Sequence, residues 1–192
     1  TYVDMNREKK YAVPLGSKQD AVYDLYHNRI KSARSLVTIL HGKGLVIDIH
    51  AHGHEVQQVE LGYLISKDNL DRDNSELLAG NYSKDCSIYS ISKNNKGNKN
   101  FVELLRGTNS LGYLLSKNNV PCVPNPDKLT PGLEPYFNGG HITKTHGSAL
   151  SVGGTVDAIQ MEFDSTARSA QRRQEYAKNI ANAVLEFISL NY

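Results

Sequence analysis

No apolar run in the 192-residue chain approaches the ~20 residues needed to cross a bilayer, and no charged-then-apolar signal segment opens it. An excess of one charge is also missing. The 22 Lys and Arg stand against 20 Asp and Glu, a net of +2, so charge proposes neither nucleic acid nor a membrane surface as partner, and a small ligand or substrate is expected. Cysteine is scarce: Cys86 and Cys122 allow one disulfide but no disulfide scaffold, and their spacing is not that of a metal site, so two free buried thiols are expected. An initiator Met is absent too. The segment "TYVDMNREKK" at Thr1 is already dense in functional residue types, which suggests a processed chain or a fragment. With the single sequon Asn81-Tyr82-Ser83 and the two cysteines, this leans towards a secreted or processed protein, the compartment staying open.

The length suits one domain, 1–192, with a core of its own. Ser17 and Asp20 resemble a helix-capping pair, and Val22, Leu25, Tyr26, Ile30 and Ala33 recur at helical spacing to about residue 35. After the "HGKG" turn, Leu45-Val46-Ile47 lacks polar alternation, as a strand buried on both faces would. Residues 92–100, "SKNNKGNKN", read as an exposed loop. Two short helical pieces broken at Gly107 follow, then "VPCVPNP" as a short strand and a loop rich in Pro and Gly up to Gly140. "TVDAIQMEF" (155–163) suits a second interior strand, and a last helix runs from about Ala167 to Leu190 with a stripe of Tyr176, Ile180, Ala183, Val184, Phe187 and Ile188. "LGYLISKDN" (61–69) and "LGYLLSKNN" (111–119) echo each other without carrying their flanks, so they do not mark a repeat.

"LVIDIHAHGHE" (45–55) carries the chemistry: three histidines, His50, His52 and His54, with Asp48 just before them, at the end of an apolar strand where open α/β sheets place their sites. On an extended backbone Asp48, His50 and His52 share a face, and neighbours in that set lie roughly 6.5 Å apart at Cα, close enough for two imidazoles to share one ion. His54, about 13 Å from His50, joins only if the chain turns at Gly53. The stretch therefore supplies at most part of a site that zinc normally fills with three protein ligands. Asp48 is placed to orient an imidazole. Glu55 and Glu60 are weaker candidates, equally readable as solvated or loop-bracing carboxylates.

Taken in order, "YVDMNRE" (2–8), "LVIDIHAHGHE", "LGYLIS", "LLRGTNSLG" (104–112), "YFNGGHITKTHGS" (136–148) and "VDAIQMEF" (156–163) resemble the N-formylglutamate amidohydrolase family, itself similar to the zinc carboxypeptidases. The resemblance covers nearly the whole chain and lies in the ordered set rather than in any one motif. It implies an α/β fold of three layers, a mixed twisted sheet with helices on both faces, zinc exopeptidase-like, and zinc-dependent hydrolysis of an amide or peptide bond next to a carboxylate, in a small acyl-amino acid or a peptide. It implies His50 as a zinc ligand and Glu162 as the general base that takes a proton from the attacking water; His52 and His54 are further candidates as ligands of a rebuilt site. Asn6 and Arg7 match a pair that grips the substrate carboxylate, and the loop with Gly139, Gly140, Thr143 and His146 lines the pocket. His141 is a weaker case.

One departure stands out. The first two zinc ligands of such peptidases come from a His-x-x-Glu motif upstream of the Asn-Arg pair, and here no histidine precedes His27, while His27 and His41 are followed three residues on by Ile30 and Gly44. A non-catalytic protein that keeps the fold and binds carboxylate ligands is therefore the alternative expectation. A TIM-barrel metal hydrolase, suggested by "HAH", needs ~200–250 residues or more and eight strand–helix repeats, which the chain does not contain.

Overall fold

The computed structural model describes residues 3–14 and 16–192. A one-turn helix, α1 (Lys9–Ala12), leads into α2 (Lys18–His41), which starts after Ser17 and ends at Gly42, whose φ of 76° is the left-handed conformation that glycine adopts without strain. The strands are β1 (Gly44–Ala51) and β2 (Val59–Gly62). Short helices follow: α3 (Lys67–Leu70), α4 (Asn74–Ala79), α5 (Tyr89–Lys93), α6 (Phe101–Arg106) and α7 (Leu111–Lys117). The chain closes with β3 (Cys122–Val123), α8 (His141–His146), β4 (Val156–Phe163) and α9 (Arg173–Asn191). Side-chain caps explain why the short helices start where they do: Ser66, Asp73, Asn100 and Ser110 each accept a backbone N–H of the first turn.

The four strands form one mixed sheet in the order β1-β4-β2-β3. β1 runs parallel to β4, β4 antiparallel to β2, and β2 parallel to β3. Leu45, Ile47, Ile159, Met161 and Leu61 point to one side, into the main apolar cluster with Leu104, Leu114, Ala183 and Phe187 of α6, α7 and α9. The other side carries Asp48, His50, Gln160, Glu162 and Glu60, and is covered by α2 and α8, which both contact β1 and β4. The result is an α/β fold with helices on both faces of a mixed sheet. The apolar side accounts for most of the stabilising burial, at roughly 25 cal/mol per Å²; the polar side has the chemistry.

Two expectations are corrected. β1 is not an interior strand: among the described residues it pairs only with β4, and Ile49 is 71% exposed. On its apolar face Leu45 and Ile47 pack only partly against the core, and Ile47 and Ile49 of that same face border an open groove with α9. On α2 the buried side is not Val22, Leu25 and Tyr26, which are exposed, but Tyr23 and His27, with Ile30, Arg34 and Val37 partly covered along the same side. This face lies over the polar side of the sheet, so the two residues it buries fully are a tyrosine and a histidine, which escape a search for an aliphatic stripe. The two thiols are free and buried as expected, and the echoed strings fold differently, one as β2 and α3 and the other as α7.

Between α2 and α8 three imidazoles meet. His27 Nδ1 lies 2.8 Å from His146 Nε2, and Tyr23 Oη lies 2.8 Å from His141 Nε2. Burial, with nearby His27, Arg34 and Lys31, lowers His146 from 6.5 to about 4. Burial raises Asp157 of β4 from 3.8 to about 6, against hydrogen bonds from Ser148 and Tyr192. The folded protein thus binds a proton on His146 less readily than the unfolded chain, so that contribution is complete above pH 6.5 and is lost as the pH falls towards 4. Asp157 acts in the opposite sense, its contribution being complete below pH 3.8 and lost as the pH rises through 6. Each amounts to about 3 kcal/mol, so they offset each other across the acid range. Urea unfolding at pH 7 and 4.5 should therefore show Asp157→Asn losing more stability on acidification than wild type, and His146→Asn losing less; parallel curves for all three proteins would refute the assignment.

Candidate metal centre

Residue parity on β1 places Asp48 and His50 together on the polar face, where their Cα atoms pair with Gln160 and Glu162 of β4. On the far side of β4, Glu162 pairs with Glu60 and Gln160 with Gly62. His50, Glu162 and Glu60 therefore form one row across three strands, with Asp48, Gln160 and Gly62 as the next. His50 Nε2 lies 3.1 Å from Asp48 Oδ1 and 3.1 Å from Asn6 Nδ2. Gln160 Nε2 donates to Glu162 Oε1 at 2.6 Å. Burial raises the Asp48 carboxyl above its ordinary range, with His50 opposing; burial raises Glu162 as well, with His50 opposing and neighbouring Glu60 reinforcing.

Beyond Ala51 the chain leaves the strand, held by a bond from His52 N to Phe163 O of 3.1 Å. His52 turns inwards, its Nε2 2.8 Å from Gln58 O and its Nδ1 accepting from His54 N at 3.1 Å. His54 Nδ1 lies 2.6 Å from Glu60 Oε1, whose other oxygen accepts from Phe137 N at 2.8 Å, and the His54 ring stacks on Phe137. His52, His54 and Glu60 each offer a donor atom within 4.8 Å of the others and could together hold a metal ion. Two imidazole nitrogens and a carboxylate oxygen suit zinc or a similar divalent ion.

The pairing expected between His50 and His52 is thus replaced by one between His52 and His54, whose ring centroids are 4.9 Å apart. The strand ends at Ala51, so the two-residue alternation that would have aligned His50 with His52 no longer holds there, and the turn brings His54 back instead. Glu60, read as a weak candidate, joins them, and Gln160 holds Glu162; neither is flagged by local spacing. The one hint for Glu60 is an acid inside the tetrapeptide "VELG", all of it buried. Glu55 is exposed.

The remaining residues are placed as follows. Asn6 crosses from the N-terminal segment to His50 and accepts from Ile142 N at 2.8 Å. Gly140 admits no Cβ because the Asn6 amide occupies that space, and Gly139, with φ 126°, turns the loop against Leu64. Arg7 faces outwards, its Nε 2.8 Å from Asp4 Oδ2, both side chains more than half exposed. Thr143 and His146 are fully buried behind this loop. The hollows elsewhere include one of about 570 Å³ beside Glu8, His141 and Lys144, and the apolar groove of about 610 Å³ between β1 and α9. Neither is lined by Asp48, His50 or Glu162.

Compared with family models, curated proteins and solved structures, the chain matches none of them. Among the described residues no helix is long and apolar enough to cross a membrane.

Proposed function

We propose that this chain is a zinc-dependent hydrolase of an amide or peptide bond beside a carboxylate, with a zinc exopeptidase-like arrangement of its sheet and helices. The observation that carries the proposal is the pairing of Glu60 with Glu162 on adjacent strands, which sets a metal-capable group directly beside a buried carboxylate with an unpartnered oxygen. A zinc ion bound at His52, His54 and Glu60 would act as a Lewis acid on the scissile carbonyl. Glu162 takes the proton of the attacking water on Oε2, since Gln160 already occupies Oε1. Desolvation raises its pKa above that of an ordinary carboxylate, which brings its basicity closer to the working pH of such a step. Asn6 holds the N-terminal segment against the site, and Arg7, once released from Asp4, offers the planar fork that suits a substrate carboxylate. The resemblance to N-formylglutamate amidohydrolases favours a small N-acyl amino acid.

The test is hydrolysis of N-formyl- and N-acetyl-amino acids by the purified chain before and after chelation and after zinc is restored. Turnover that chelation abolishes and zinc returns is expected; turnover unaffected by removal of all transition metal would refute the reading. A second reading, a protein that binds carboxylates without turnover, is favoured by the hydrogen bonds that already engage His52, His54 and Glu60. It is supported if N-acyl amino acids raise the melting temperature while zinc-loaded protein shows no hydrolysis.

A further inference from the structure

The polar groups between β1 and β4 are less well satisfied than those between β4 and β2. His52, His54 and Glu60 bond one another and the backbone of Gln58 and Phe137. Asp48 Oδ2, Gln160 Oε1 and Glu162 Oε2, by contrast, are buried without a partner, on side chains of residues only 7%, 3% and 5% exposed. These are all of the orphaned side-chain acceptors that the described strands contain, and an acceptor left unpaired where water cannot reach destabilises the fold. Glu162 Oε2 has the base role above. Asp48 and Gln160, whose Cα atoms pair across the strands, have none.

His50 adds an independent conflict. Its Nε2 lies 3.1 Å from a carboxylate oxygen of Asp48 and 3.1 Å from the amide nitrogen of Asn6. One ring nitrogen cannot donate to the first and accept from the second at once. Rotating the Asn6 amide does not help, because its oxygen accepts Ile142 N at 2.8 Å and would be lost as a partner. With Nε2 unprotonated, its one lone pair faces an Asp48 carboxylate oxygen 3.1 Å away, and a positive ion between them would take that lone pair in place of the Asn6 amide and satisfy the Asp48 carboxylate with it.

We infer that a second divalent cation site lies between β1 and β4, held by the Asp48 carboxylate, His50 Nε2 and the side-chain oxygen of Gln160. Glu162 stands between this site and the His52–His54–Glu60 group, its Cα paired with His50 on one side and Glu60 on the other. A set of one imidazole and two oxygens suits borderline and harder divalent ions such as zinc or manganese. The inference deepens the hydrolase reading and rests on it for the use of two ions, while the ligands follow from the orphaned oxygens of Asp48 and Gln160 and from the conflict at His50 Nε2.

The test counts zinc bound per chain, by native mass spectrometry after equilibration with Zn²⁺, in wild type, Asp48→Asn, His50→Gln and His54→Ala, with circular dichroism confirming each fold. Two ions are expected in wild type and one in every variant; His50→Gln gives the same information should Asp48→Asn fail to fold. A single ion that Asp48→Asn and His50→Gln retain and His54→Ala loses overturns the second site and leaves the hydrolase reading standing. A single ion with the reverse pattern supports the second site and overturns the metal placement in that reading. Two ions retained in both Asp48→Asn and His50→Gln overturn the assigned ligands, and no ion in any protein overturns both.

Discussion

Replacing Glu162 with Gln should lower kcat for an N-acyl amino acid by about 10²–10⁴-fold, the usual contribution of a positioned general base, while KM and zinc content stay close to those of wild type. The substitution is nearly isosteric, and the side-chain oxygen of Gln can still accept from Gln160 Nε2, so the row across the sheet keeps its shape. It loses the basicity of Oε2. Stability should hold or rise, because a buried carboxylate with an unpartnered oxygen next to Glu60 is replaced by a neutral group. A fall in activity accompanied by a large fall in melting temperature would mean only a damaged fold. Activity retained within tenfold in the zinc-loaded, folded variant would remove Glu162 from the mechanism.

Much of the frame was legible because it is local. β4 shows as a segment rich in β-branched and apolar residues, α6 and α7 separate at Gly107, and α9 buries Tyr176, Ala183 and Phe187 of the stripe read for it, with Ile188 left at the rim. Parity within β1 also put Asp48 and His50 on one face correctly. What stayed hidden depends on distant pairing. β2 has only four residues, all buried, with no alternation to announce a strand, and α8 is six residues within a glycine-rich loop. Glu60 becomes part of the site only through its antiparallel register with Glu162, about a hundred residues away in the chain, and no spacing within "VELG" encodes that register. His54 reaches His52 through a turn beginning one residue past the strand, and a strand-based distance argument cannot contain such a turn. The open edge of β1 was hidden for a related reason: side-chain hydrophobicity reports faces, whereas edge or centre is decided by which backbone finds a partner.

Arg106→Met should destabilise the protein by roughly 4 kcal/mol, among the largest losses for any single site. The guanidinium is 2% exposed and, among the described residues, no carboxylate lies within ion-pair distance of it. Carbonyl dipoles compensate its charge instead. Nη1 donates to Leu70 O at 2.6 Å and Leu129 O at 3.3 Å, Nη2 to Arg72 O at 2.7 Å and Asn74 Oδ1 at 2.8 Å, and Nε to Asn74 Oδ1 at 3.0 Å. One side chain thus joins the end of α3, the start of α4 and the loop after β3. Methionine would fill much of the volume and spare the desolvation of a cation, but it would leave three carbonyls and an amide oxygen unpartnered, each costing about 1–3 kcal/mol where water cannot reach. Lysine should recover no more than half of the loss, since one ammonium cannot span positions matched to a planar fork. The loop so anchored continues to Phe137, whose N–H holds Glu60, and to Gly140, which seats Asn6. The same variant should therefore bind zinc more weakly than wild type even where it remains folded. Urea unfolding together with zinc titration checks both effects, and a stability loss below about 1 kcal/mol would show that water replaces the guanidinium at these carbonyls.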